Sequence, residues 1–119
     1  MIHFITKRKE SSNYSNLPLS EVLFELAKLD MIGFDFEATD LDPYIAQPLL
    51  LILGDAFTQY VIDLCSYKVT EFQEILNGKC IIGANLKYDV KLGTVNGLKF
   101  DNIALFDIIV ADQRIWQGY

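Results

Sequence analysis

The chain has 119 residues, 51% of them hydrophobic, and a formal net charge of −6 at pH 7. That length bounds it to a single domain around one compact core, and the apolar content is ample to build one. The acidic balance argues against a protein that coats nucleic acid through a broad basic face. It leaves open an enzyme that holds only a few nucleotides, because metal ions can supply the positive charge there. No apolar stretch is long enough to span a membrane; the longest, Pro48 to Leu53, is strand-sized. Met1-Ile2-His3-Phe4-Ile5 stands before Lys7-Arg8-Lys9, the reverse of the charge order in a secretory signal. Lys7-Arg8-Lys9 reads as a solvated surface run rather than a phosphate contact. Cys65 and Cys80 lack metal-ligand spacing and fall at strand edges, which predicts reduced, buried thiols in a cytoplasmic protein. His3 is far in sequence from every acidic motif and receives no role.

In chain order, the polar stretch from Glu10 to Pro18 predicts a loop. Ser20 and Glu21 open a helix to about Asp30, with Val22, Leu23, Leu26 and Leu29 at helical spacing. Met31 to Glu37 predicts the first core strand, and Asp40-Leu41-Asp42-Pro43-Tyr44 a turn. Pro48 to Gly54 reads as a buried second strand. Gln59 to Leu64 follows the turn around Asp55 as a third, the two forming a hairpin. Thr70 to Leu76 predicts a short helix closed by Asn77-Gly78. After it come a strand over Lys79 to Ile82, a helix from Asn85 to Val95 closed by Asn96-Gly97, and a short strand near Ala104-Leu105. A last helix is expected from Asp107 to about Trp116, with Asp107 as its N-cap and no catalytic part. Strands alternating with helices around a hairpin predict an α/β fold with a mixed sheet.

Chemistry concentrates in two places. Asp35-Phe36-Glu37 ends the first core strand, and residues two apart in a strand share a face, so both carboxylates stand side by side. Such acids repel unless something positive lies between them, and hard oxygen ligands suit Mg²⁺ or Mn²⁺. Solvated acids at a strand end are the alternative. Downstream, Gly83-Ala84-Asn85-Leu86-Lys87-Tyr88-Asp89 opens a helix that places Asn85, Tyr88 and Asp89 on one face. Asn85 as a plain N-cap and Asp89 as a solvated first-turn acid are the competing readings there.

Phe34-Asp35-Phe36-Glu37-Ala38-Thr39-Asp40-Leu41-Asp42-Pro43-Tyr44 resembles the first exonuclease motif of the proofreading domain in family-A, DNA polymerase I-like polymerases. Asn85-Leu86-Lys87-Tyr88-Asp89 resembles the second motif, and Phe106-Asp107-Ile108-Ile109-Val110-Ala111-Asp112 the segment that opens the following helix. Val61-Ile62-Asp63-Leu64 fits the third strand. The resemblance, from about Ile32 to the C-terminus, implies a ribonuclease H-like sheet flanked by helices and membership of the DEDD superfamily of 3′–5′ exonucleases. It implies two-metal hydrolysis at the 3′ end of single-stranded or frayed DNA, with Mg²⁺ or Mn²⁺ held by acidic residues. Asp35 would bridge both metals, Glu37 would hold one and orient the water, and Asp89 would bind the second. Asn85 would hydrogen-bond the terminal nucleotide, Leu41 would wedge against the terminal bases, and Tyr88 would pack beside the site. For Leu41 a leucine covering the core, and for Tyr88 a core aromatic, are the alternatives.

Two departures bear on this. Ala38 stands where many members have Thr, as in some phage polymerases. The third motif, Tyr-x-x-x-Asp, has no counterpart here, since neither Asp107 nor Asp112 has a tyrosine four residues before it. The expectation is therefore a C-terminally incomplete exonuclease domain, bacterial or phage-like, weak or inactive alone. It would depend on a polymerase domain or a C-terminal segment to supply the motif, and would expose an apolar patch in that segment's absence. The competing expectations are a non-catalytic DEDD-fold module that binds a DNA end or a partner protein, and an RNA-trimming enzyme of the same superfamily.

Overall fold

The structure is a computed structural model that describes residues 1–8 and 17–110. Its strands are β1 (Ile2–Ile5), β2 (Met31–Ala38), β3 (Pro48–Gly54), β4 (Gln59–Asp63), β5 (Cys80–Gly83) and β6 (Ala104–Asp107). Helices α1 (Leu19–Ala27), α2 (Gln73–Leu76, entered through a 3₁₀ turn over Val69–Phe72) and α3 (Leu86–Val95) connect them. The strands form one sheet in the order β1-β4-β3-β2-β5-β6. β2, β3 and β4 make an antiparallel meander, while β1 runs parallel to β4 and β5 and β6 run parallel to β2. The sheet is mixed and flanked by helices, as the sequence predicts.

Alternation explains the register. Along β2, Ile32, Phe34 and Phe36 are buried while Met31, Asp35 and Glu37 are exposed. Pairing carries the buried set across the sheet, with Phe34 opposite Leu53, Phe36 opposite Leu51, Leu51 opposite Ile62 and Ile32 opposite Ile81. Val22 and Leu26 of α1, Leu76 of α2 and Leu86 and Leu92 of α3 join the same buried cluster. Each such aliphatic side chain contributes about 1.5–3 kcal/mol by leaving water. The opposite face is apolar but open: Met31 is 51% exposed, Phe106 48% and Ile108 50%.

Turn chemistry closes the elements where expected. Asp55 Oδ1 accepts from the N–H groups of Phe57 and Thr58 at 2.8 Å, which folds the β3–β4 hairpin. Gly78 and Gly97, with φ of 78° and 99°, end the helices before them. Asp63, only 4% exposed, is held by the hydroxyls of Thr6 and Ser66 and the Cys65 N–H. Burial pushes its carboxyl up, but those three bonds and the nearby Arg8 charge outweigh burial and hold it below its usual value.

Four readings of the sequence need correction or bounding. The sequence pattern does not predict β1 as a strand: it is a four-residue edge strand whose only fully buried side chain is Ile5, and its partner β4 is remote in sequence. Cys65 is exposed and Cys80 only partly buried, so the thiols are free but not core residues. Cys65 falls in the turn just after β4, where its N–H caps Asp63 and its side chain faces out. In the basic run, Arg8 Nε lies 3.4 Å from Asp63 Oδ2 and Lys7 Nζ 4.9 Å from the Tyr67 ring centre, while Lys9 lies outside the described residues. The expected loop falls mostly on residues 9–16, also outside them; of the expected last helix, residues 108–110 are helical and 111–116 lie outside. No helix among the described residues is long and apolar enough to cross a membrane.

Gly83, where β5 ends beside β2, yields a test of this packing. A Cβ there would stand 2.6 Å from the Phe34 carbonyl oxygen, a backbone atom that cannot swing aside. Gly83→Ala is expected to destabilise the fold by roughly 1–3 kcal/mol, measured by urea unfolding. A midpoint unchanged from the parent would contradict this geometry.

Candidate active site

β5 pairs with β2 only through Met31–Gly33. Beyond Gly33 the edge of β2 on that side has no strand partner, and α3 begins in the opening. Phe36 N–H faces this edge and would be an orphan donor inside the protein. Asp89, one turn into α3 and only 3% exposed, accepts it through Oδ1 at 3.2 Å. The carboxylate of Asp89 is thereby fixed to the backbone between Asp35 and Glu37. The register of β2 against β3 shifts between Glu37 and Ala38, a bulge at the site's edge.

The electrostatics follow from this convergence. Burial pushes the Asp89 carboxyl up to about 7; the Phe36 hydrogen bond opposes the rise, and the negative charges of Asp35, Asp107 and Glu37 add to it. Asp35 is also raised, first by burial and then by Glu37 beside it. Among the described residues the ion pairs are Arg8–Asp63 and Lys28–Glu25, and neither touches these acids. Unbalanced negative charge on oxygen donors fits a hard divalent cation such as Mg²⁺ or Mn²⁺. As the side chains stand, however, no three His, Cys, Asp or Glu among the described residues form a group that would hold an ion.

The remaining expected residues lie around this point. Asn85 precedes α3 in the left-handed conformation (φ 57°, ψ 50°), and its side chain does not cap the helix. Tyr88 is partly buried against the core, and its hydroxyl donates to the Asp40 carbonyl oxygen at 2.5 Å, tying α3 to the loop after β2. Burial raises its phenol first, then the charges of Asp89, Asp40 and Asp42. Leu41 is 93% exposed and so does not cover the core. It lines a surface hollow of about 270 Å³ with Glu37 and Tyr88. The larger groove, about 650 Å³, lies on the open apolar face and includes Asp35 but neither Glu37 nor Asp89.

Sequence reasoning missed the reach of Asp107. It caps the turn that follows it, accepting from Ile109 N–H at 2.9 Å and Val110 N–H at 3.3 Å, as predicted. It also accepts from Leu86 N–H at 2.8 Å and Asn85 N–H at 3.3 Å, the first donors of α3. Burial raises this carboxyl, but the four bonds outweigh burial and hold it below its usual value. No local spacing signals a cap supplied from a strand so far along the chain.

No family model and no curated protein matches the chain by sequence. Its fold does match solved nucleases. The RNase D of Trypanosoma brucei in complex with GMP superposes with a TM-score of 0.72 at 18% identity over 96% of this chain and 35% of that one. The EXO domain of Aedes aegypti Nibbler gives 0.69 at 12% identity, over 98% and 56%. Brucella melitensis NrnC with bound Mg²⁺ gives 0.64 at 12% identity, over 97% and 54%. The chain thus spans between 35% and 56% of these proteins' lengths. The mixed six-stranded sheet with its helices is the ribonuclease H-like fold of these exonuclease-domain neighbours.

The raised Asp89 carboxyl has a sign that can be measured. An unfolded aspartate titrates near 3.9. Between that value and the folded value of about 7, the folded state keeps a proton that the unfolded state has lost. Stability of the metal-free protein should therefore fall as pH rises through this window, by on the order of 4 kcal/mol, and stay low above it. Asp89→Asn keeps an acceptor for Phe36 N–H without the charge. It is expected to flatten the pH dependence between about pH 5 and 8 and to raise stability at the upper end by roughly 1–3 kcal/mol. Urea unfolding in chelator at both pH values measures this, and an Asn variant less stable than the parent at high pH would contradict it.

Proposed function

We propose that the chain carries the metal-binding end of a 3′–5′ exonuclease site of the DEDD superfamily, acting on the 3′ end of a single nucleic-acid strand. The observation that carries this reading is the buried carboxylate of Asp89 set on the backbone between Asp35 and Glu37. A cation at that point would be held by Asp35, Glu37 and Asp89, and when bound it supplies an activated water and charge stabilisation for the departing 3′-oxygen. The protein's own part is positioning. Phe36 N–H keeps Asp89 in place, and the Tyr88–Asp40 bond holds α3 against the loop that presents Leu41. In this reading Leu41 packs on the terminal base from its exposed position, and the Asn85 side chain, which does not cap its helix, hydrogen-bonds the terminal nucleotide.

The sequence resemblance favours a DNA 3′ end and a polymerase I-like setting. A second reading, an RNA-trimming enzyme, is favoured by neighbours named as RNase D and solved with GMP or with RNA U12. Sugar choice rests on contacts to the 2′-OH. Three of the four carboxylates that the resemblance implies are present among the described residues, so the expected rate of these 119 residues alone is low.

With Mn²⁺ and a supplied segment bearing Tyr-x-x-x-Asp, 5′-labelled single strands are expected to shorten stepwise from the 3′ end and release mononucleotides. Asp35→Ala should reduce the rate by at least about 10³-fold while leaving the unfolding midpoint within about 0.5 kcal/mol of the parent. Matched DNA and RNA strands in the same assay separate the two substrate readings. Cleavage that survives chelation, or products released from the 5′ end, would overturn the proposal.

A further inference from the structure

Helix α3 carries Asp89, yet among the described residues no side chain of the helix's own first turn caps its start. Asn85, at the capping position, leaves its side chain out of the cap. The first donors are taken instead by one carboxylate from the end of β6, with Asp107 Oδ2 on Leu86 N–H at 2.8 Å and Oδ1 on Asn85 N–H at 3.3 Å. Asp107 is itself braced, because Oδ1 also accepts from Ile109 N–H at 2.9 Å and Val110 N–H at 3.3 Å. Leu86 and Asp89 are three residues apart, about 4.5 Å along the helix axis, so a shift of the first turn reaches Asp89 with little attenuation. At the far side Asp89 is held by the Phe36 N–H at 3.2 Å. The two strands that flank α3 thus grip the same turn, β6 through Asp107 and β2 through Phe36.

We infer that Asp107 is the positioning residue of the site: it clamps the first turn of α3 so that the Asp89 carboxylate stays on Phe36 N–H, ready to share a cation with Asp35 and Glu37. The inference deepens the exonuclease reading and, for its metal-binding part, rests on it. A plain helix cap would steady Leu86 and stop there. A positioning residue also governs the Phe36 amide, on a different strand, and the affinity for the cation. Outer partners of this kind typically set metal affinity by about 10–100-fold.

The test uses the full 119-residue chain, isotope-labelled, as the parent and as Asp107→Ala, Asp107→Asn and Asp89→Ala. Amide hydrogen exchange is followed at Leu86, Phe36 and the core strand residues Ile32, Leu51 and Ile62, and Mn²⁺ binding is titrated by paramagnetic broadening near Glu37. In Asp107→Ala, exchange at Leu86 and at Phe36 should both rise by about tenfold or more, with the three core amides unchanged and Mn²⁺ affinity down by about tenfold or more. Asp89→Ala should expose Phe36 and leave Leu86 protected. Asp107→Asn, which keeps an acceptor, should fall between parent and Ala, and it carries the test if the Ala variant does not fold. Opening of Leu86 alone, with Phe36 protection and Mn²⁺ affinity as in the parent, would reduce Asp107 to a cap and overturn the inference. If the parent shows no Mn²⁺ broadening, the metal reading fails by itself, and the Phe36 amide still decides whether Asp107 places Asp89.

Discussion

Everything at this site depends on one hydrogen bond, from Phe36 N–H to the Asp89 carboxylate. It exists because β5 leaves β2 after three paired residues, so the buried edge of β2 must find an acceptor elsewhere. A helix starting in that opening can supply one, and a carboxylate is the strongest acceptor available to it. The outcome is a negative group 3% exposed, with Asp35 and Glu37 on the adjoining strand face and Asp107 at the start of the same helix. The backbone bond alone does not offset burial and like charge, which is why the carboxyl sits near 7. The fold places acids where acids are unfavourable, the condition under which a bound cation is favoured most.

Support for that arrangement comes from three directions. Gly83 lets β5 approach Phe34 closely before it turns into α3. Tyr88 donates its hydroxyl hydrogen to the Asp40 carbonyl, which ties the loop after β2 to the helix. Asp107 holds the helix start from β6. Each contact fixes a different edge of the same turn. Exposed Leu41 then stands on a loop whose base is tied to the helix that carries Asp89.

Much of this is legible in the sequence, and the reason is local periodicity. The alternation in Met31–Ala38 and the Pro48–Gly54 to Gln59–Asp63 hairpin are short-range patterns, and the chain follows them closely. The same-face placement of Asp35 and Glu37 follows from a two-residue repeat that tertiary packing does not alter. What stayed hidden was long-range. β1 pairs with a strand some 57 residues away, and only one of its side chains is fully buried. Cys65 reads as a strand-edge thiol, but the strand ends at Asp63 and the next residues turn to satisfy that buried acid. Asp107 carries a signal for the helix that follows it and none for the helix before it, because the latter contact is created by parallel β5–β6 pairing.

That last contrast bears on how such a site can be built from weak signals. Asp-x-Glu at a strand end and a lone aspartate in a helix each have a bland explanation, and the sequence pattern does not choose between them. The sheet chooses, because β5 runs parallel beside β2, so the helix that starts just after β5 opens next to the end of β2. Once there, Asp89 cannot be a solvated first-turn acid, since its oxygen is committed to Phe36 and its surroundings exclude water. Asn85 is not a side-chain cap either: its backbone is left-handed and its side chain makes no capping bond to the helix start. Removing those two bland roles leaves a buried acid and, among the described residues, an amide with no capping bond, on one turn of helix beside two strand carboxylates. In the proposed reading, a cation and a nucleotide end would complete that constellation.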